Sequence, residues 1–252
     1  MRAHDDPTYE DSILRTRRDF PIELVRVLEE SAAARRLLDE ILALSRDERL
    51  LRVLTDPSCA TVSFVATTHE AVRDALRDGQ AEALELAELS VYAARRCSGP
   101  PRAAETRLRH ILESLCLLLE AELAFGSRSR ADHYLYEAVA FSHGFDDEPL
   151  ASIELLVAIA LASFANHHRE DTHGALREAQ AVARSIKDQT LTAQVALVEV
   201  QMLELHGHTT RATAARLALD TLHPEPIPDS HWHTVLRIIH LRTAPVPTEV
   251  LQ

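Results

Sequence analysis

Gly207-His-Thr-Thr-Arg-Ala-Thr-Ala-Ala-Arg-Leu-Ala-Leu-Asp-Thr-Leu-His-Pro224 combines a turn glycine, an alanine-paced helical run and a terminating proline. Glycine supplies backbone freedom ahead of a helix, and proline cannot continue one. Related phrases follow two earlier glycines, Gly79-Gln-Ala-Glu-Ala-Leu and Gly174-Ala-Leu-Arg-Glu-Ala. All six glycines (Gly79, Gly99, Gly126, Gly144, Gly174 and Gly207) read as joints between apolar helical stretches. The pattern is helix, turn, helix, repeated, and it builds binding surfaces more often than active sites.

Composition points the same way. The chain has 252 residues, enough for one or two ordinary domains or one extended repeat array. Nearly half of it is apolar, yet aromatics make up only 4% and Ala and Leu carry most of the rest. Those two residues favour helices, whereas strands favour the β-branched and aromatic residues that are scarce here. The fold class expected is all-α. A net charge of −12 opposes phosphate backbones, so nucleic acid is not an expected partner. Arg15-Thr-Arg17-Arg18 is too short and lacks the aromatics of a nucleic-acid surface. Lys187 is the only lysine, a skew towards arginine that suits a GC-rich genome. Cys59, Cys97 and Cys116 are sparse, odd in number and without a CxxC pair, against both a disulfide framework and a zinc knuckle. The start of the chain is polar and acidic, unlike a signal peptide, and the most apolar window, 153–165, is too short to span a bilayer and carries Glu154. A soluble cytoplasmic protein is expected, with no membrane association.

Along the chain, residues 1–20 read as a flexible N-terminal arm. Asp19-Phe20-Pro21 offers a cap and a first-turn proline for a helical segment over 21–58, in which Ile22, Val25, Leu28, Leu37, Leu38, Ile41 and Leu42 recur at three and four. Ser45-Arg-Asp-Glu48 has capping-box spacing, and Asp56-Pro57 ends the short helix it opens. Helices are then expected over about 59–77, 81–96, 103–125, 131–142, 149–166, 172–186, 189–206, 209–222 and 230–241. Ser98-Gly-Pro-Pro101 breaks the chain between the second and third of these, and Pro224, Pro226 and Pro228 end the array. Residues 225–252 would form a capping helix and a proline-spaced, frayed tail.

Over about 59–224 these hairpins resemble tetratricopeptide repeats, units of two antiparallel helices. Gly207, Ala212 and Pro224 fit that family's spacing of turn residue, small residue and proline. Ala83, Ala131 and Ala175 take the small-residue slot in the other units, though the interval drifts above the family value and the usual early aromatic is missing. The stretch from Leu37 to Pro57, followed by the Gly79 phrase, is similar to bacterial proteins of this kind from high-GC genomes. The resemblance implies a right-handed α-solenoid of stacked hairpins with a concave face lined by the first helix of each pair. It would place Glu113, Cys116 and Glu120, then Val157, Phe164, His167 and His168, then Gln194, Gln201 and Glu204, on that face. Such a polar, partly acidic lining would suit a basic or extended peptide.

Other chemistry is weaker. Nine of fourteen histidines follow residue 160, the tightest group being His167-His168-Arg-Glu170-Asp171-Thr-His173, with His206-Gly-His208 and His231-Trp-His233 beyond it. Imidazole and carboxylate suit Zn²⁺, but HExxH spacing is missing and histidines at helix ends interact with the terminal carbonyls and dipole. Glu82, Glu85 and Glu88 read as a solvated helix face, Cys116 as a core residue, and Trp232 as an anchor for the last helix. No GxSxG, Walker-type or GxGxxG pattern occurs. The expectation is therefore a non-enzymatic scaffold or adaptor for a protein or extended peptide, with no catalytic residue, no resident metal and no cofactor. The alternative reading is a metal-binding protein or metalloenzyme centred on 167–173. A third is a self-associating module whose terminal hairpins pair between copies, giving a homo-oligomer.

Overall fold

A computed structural model describes residues 7–97, 104–143, 148–223, 226–228 and 230–243, with side chains described from residue 24 onward except at 104, 105 and 222. The expected breaks at Ser98 to Pro101, Gly144 and Pro224, and the tail from residue 244, lie outside these residues. Within them the regular structure is entirely helical. The helices are α1 (Pro7–Leu42), α2 (Arg46–Thr55), α3 (Val62–Arg77), α4 (Glu82–Arg96), α5 (Ala104–Phe125), α6 (Arg128–Ser142), α7 (Pro149–Ala165), α8 (Arg169–Ser185), α9 (Gln189–Leu205), α10 (Thr209–Leu222) and α11 (His231–Thr243), with a 3₁₀ turn at Pro57–Ala60 after α2. None of these helices is long and apolar enough to cross a membrane.

Local chemistry sets the boundaries. Glu48 Oε2 accepts from the Ser45 amide at 3.0 Å, the reciprocal arm of the expected capping box. Thr61, Ser127 and Asp188 accept from the amides of Phe64, Arg130 and Leu191, opening α3, α6 and α9. The first helix departs from expectation. It begins at Pro7, which suits a first turn as well as Pro21 does, so residues 7–20 of the expected arm are helical and Pro21 falls inside α1. Among the described side chains of α1, Ala34, Leu38 and Ile41 are buried, whereas Leu24, Val25 and Leu28 are exposed. Gly174, read as a joint, instead lies inside α8, where a Cβ would meet open space.

Four turns share one backbone solution. Gly79, His167, Lys187 and Gly207 all have positive φ, between 59° and 76°, and each follows a helix by two residues. In each case the next residue donates back across the turn: Gln80 to Ala75, His168 to Ser163, Asp188 to Ala183 and His208 to Leu203. This six-to-one bond satisfies a carbonyl left over at the helix end. The last three turns lie at 167, 187 and 207, and the helices α7, α8 and α9 between and before them are each 17 residues long. Glycine marks only one of these three, so a search for glycines alone misses the regular interval.

Neighbouring helices pack in sequence, α3 on α4, α4 on α5, α5 on α6, α7 on α8, α8 on α9 and α9 on α10. A second set of contacts joins α3 to α5 and α5 to α7. Helices α5 and α7 are buried nearly all round, as their almost unbroken runs Leu115-Cys-Leu-Leu-Leu119 and Val157-Ala-Ile-Ala-Leu161 require. The four alanines Ala83, Ala131, Ala175 and Ala212 are all buried near the starts of α4, α6, α8 and α10, where a larger side chain would hold the helices apart. Glu85 pairs with Arg49, and Glu88 with both Arg46 and Arg130, so these carboxylates join α4 to α2 and α6. α11 lies against α3, α5, α7 and α9 together.

The turn geometry generates a test. A Cβ at positive φ costs roughly 1 kcal/mol, so His167→Gly and Lys187→Gly should each raise stability by about 0.5–1 kcal/mol in urea denaturation. Gly207→Ala should lower it by about 1 kcal/mol, and a gain there would refute the shared turn.

Candidate functional site

The concentration of buried polar groups lies where α3, α5, α7 and α11 meet. Helix α3 contributes His69 and Arg73, one turn apart on the same face. Helix α5 contributes His110, Glu113, Ser114 and Glu120, α7 contributes Glu154, and α11 contributes His231 and Trp232. Each of these residues interrupts an otherwise apolar stripe, so helix packing carries them into the interior together.

Arg73 is the bridge. Its guanidinium contacts Glu113 and lies 3.1 Å from Glu154 Oε1. Glu113 Oε2 in turn faces His69 Nδ1 at 3.2 Å and His110 Nδ1 at 3.5 Å. His69 Nε2 is 2.7 Å from Ser114 Oγ. On the other side, His231 Nε2 lies 2.9 Å from Glu120 Oε2, and Trp232 Nε1 donates to Glu120 Oε1 at 3.2 Å. A cavity of about 280 Å³ opens beside Arg73, Glu113 and Glu154, bordered by Arg109, Leu150 and Leu191.

The electrostatics follow from burial and pairing. Burial alone would raise the Glu113 pKa, but the His110 and His69 hydrogen bonds, with the His69 and Arg73 charges, hold it far below the usual carboxylate range. Burial alone would lower the Arg73 pKa, and the Glu154 and Glu113 charges outweigh it and push it up. Burial depresses His69 and raises Glu154, the latter only partly offset by Arg73. Cys116, beside this cluster, is pushed well up by burial, which leaves it a core thiol rather than a nucleophile.

The order Ser114, His69, Glu113 has the connectivity of a hydrolase triad. Burial argues against that chemistry, because Ser114 and His69 are 0% and 1% exposed. Ser114 is also in mid-helix, where the surrounding backbone N–H groups are committed to helix bonds and cannot stabilise an oxyanion. The arrangement pairs Ser114 with His69 and sets two imidazoles against Glu113.

A second anchor of α11 lies at its far end. Arg242 donates to the carbonyls of Leu123 and Gly126, at 3.0 and 2.8 Å, and so caps the end of α5. The buried Glu122 pairs with Arg130 at 2.8 Å and accepts from the Ser127 amide. A Cβ at 126 would fall 1.8 Å from the Glu122 carboxylate, so any larger residue there would displace that side chain from its present place.

The residues expected on one open concave face are dispersed. Glu113 and Glu120 belong to the buried network, and Glu120, Cys116 and Val157 have no exposed surface. Phe164 is buried against the His206 ring, at 4.8 Å between centroids, instead of lining an open surface. His167 and His168 are exposed at the turn after α7. Gln194 donates to the Pro228 carbonyl at 3.3 Å, so it meets the segment leading into α11. Gln201 is half-buried, and the exposed Glu204 lies 4.0 Å from Arg216.

The histidines of 167–173 do not converge. His168 faces Asp171 at 3.9 Å on the surface, while His173 turns towards Glu199 and the His206 ring. His206 is pushed down to about 4 by burial and by Arg169. Among the described residues, the groups of three whose ligand atoms could share an ion are His69, His110 and Glu113, and Glu120, Glu154 and His231. Sequence reasoning passed over His69, Arg73, His110 and His231 as site residues. The available signal was a charged or imidazole side chain at a core position of an apolar helix, as at Glu154.

Comparison with protein-family models, curated proteins and solved structures finds no match for this chain.

The shared guanidinium makes a quantitative prediction. Arg73→Met should cost roughly 3–5 kcal/mol at pH 7, because Glu113 and Glu154 lose their buried cation. A depressed carboxylate stabilises the fold above its unfolded pKa, about 4.3, and that contribution disappears as pH falls towards the folded value. The gap between wild type and Arg73→Met should therefore narrow below about pH 4.3. A gap in urea-derived stability that stays constant from pH 7 to 3 would contradict the ion-pair account.

Proposed function

We propose that this chain is a non-enzymatic, tetratricopeptide-like helical scaffold that binds a protein or extended peptide. Its binding surface is the face built by α3, α5, α7 and α9, and its resting occupant is the chain's own α11. The supporting observation is that one thirteen-residue helix touches all four of these helices, which are drawn from successive hairpins. A surface that receives an amphipathic helix in cis has the shape and apolar content to receive one from a partner. The anchors would be those that α11 uses: an aromatic in the position of Trp232, an imidazole facing Glu120 and an arginine for the α5 terminus. Two arms of a partner segment, basic at one end and aromatic at the other, would compete with α11 for these contacts. Glu113 acts beneath this surface by positioning Arg73, and His167, His168, Gln201 and Glu204 belong to its margins.

A labelled peptide spanning residues 226–243 tests the reading. In the wild type the tethered helix competes at an effective concentration in the millimolar range. The peptide should therefore bind the full chain carrying Trp232→Ala at least tenfold more tightly than wild type, measured by fluorescence anisotropy. Equal affinity for both, or no binding to either, would dispose of a helix-receiving face.

A further inference from the structure

We propose that Glu120, Glu154 and His231 bind one divalent transition-metal ion, of the class that includes Zn²⁺, Co²⁺ and Mn²⁺, and that this ion ties α11 to α5 and α7. The three residues come from three helices, and each offers a ligand atom within 4.8 Å of the others. Glu120 and His231 are buried, and Glu154 borders the 280 Å³ cavity, which gives the ion a route in.

The unpaired atoms identify the site. Glu154 Oε2 is buried without a hydrogen-bond partner, and the buried Glu120 Oε2 and His231 Nε2 face only each other, at 2.9 Å. The second oxygen of each carboxylate is already held, Glu120 Oε1 by the Trp232 indole and Glu154 Oε1 by Arg73. One oxygen fixed and one left over is the arrangement that outer-shell partners impose on carboxylate ligands. Leaving Glu154 Oε2 bare, and two carboxylates buried beside one imidazole, would carry a desolvation cost that a cation removes. The 2.9 Å between His231 Nε2 and Glu120 Oε2 is close to the separation of about 3.3 Å that tetrahedral ligands at 2.0–2.1 Å adopt.

Charge balance favours the same answer. Glu113, Glu120 and Glu154 face one permanent cation, Arg73, whose guanidinium is already shared by Glu113 and Glu154. A divalent ion at the Glu120 end supplies the missing positive charge. One imidazole with two carboxylates suits borderline divalent metals, and three protein ligands leave positions for water. The neighbouring group differs: His69 has Ser114 on Nε2, and the Nδ1 atoms of His69 and His110 both already face the same Glu113 oxygen. The ion is accordingly assigned to the α11 side.

Trp232 is the sole tryptophan of the chain and touches Glu120, so it reports on this site alone. Co²⁺ titrated into chelator-stripped, full-length protein should quench its fluorescence saturably at one equivalent, and Zn²⁺ should reverse the quench. Glu154→Gln, Glu120→Gln and His231→Ala should each weaken Co²⁺ at least tenfold. His110→Gln, and the surface pair His167→Ala with His168→Ala, should leave it within twofold. Far-UV circular dichroism screens every variant, and if the two buried changes unfold the chain, Glu154→Gln at the cavity edge decides. Absence of saturable quenching in the wild type would overturn the proposal. So would undiminished affinity in Glu154→Gln, or loss of binding in His110→Gln, which would place the ion in the other group.

Discussion

One guanidinium holds the centre of this molecule together. Arg73 reaches from α3 to Glu113 on α5 and Glu154 on α7, so three helices depend on a single buried cation. Helix packing alone would favour leucine at all three positions, and a buried ion pair often stabilises a fold less than an apolar replacement would. What the charges contribute is register. Apolar stripes of Ala and Leu slide past one another at little cost, whereas a two-armed ion pair is satisfied in one alignment only. The imidazoles of His69 and His110 extend that constraint by fixing the orientation of Glu113.

The same network reaches the chain's C-terminal helix. Glu120 stands two turns further along α5 than Glu113, on the same face, and is met by His231 and Trp232 of α11. At the other end of α11, Arg242 takes up carbonyls that α5 cannot satisfy by itself. The C-terminal helix is therefore attached at both ends to one central helix and rests on three others between. Such a helix covers the surface on which a partner would be expected.

Much of the architecture was legible from local signals. The joints at Gly79 and Gly207, the capping box at Ser45, the stop at Asp56-Pro57 and the alanines at 83, 131, 175 and 212 carry local information, because turn chemistry and close packing act within a few residues. Two readings failed for local reasons as well. Gly174 is tolerated inside α8 because helix context outweighs a cost of about 1 kcal/mol. His167 and Lys187 adopt the glycine-like turn conformation although nothing in their residue type announces it.

By itself the sequence determined an all-helical chain, the approximate ends of most helices and the spacing of their joints, since periodicity and caps are short-range effects. Tertiary structure decided which polar residues meet. His69, His110 and Glu113 lie on two helices, and Glu120, Glu154 and His231 on three, separated by up to 111 residues of chain. No spacing rule relates them, because their proximity depends on how helices cross and on where α11 returns. The packing of α11 follows the same rule: a helix's apolar face is written in its sequence, while the surface that buries it is chosen by the whole fold.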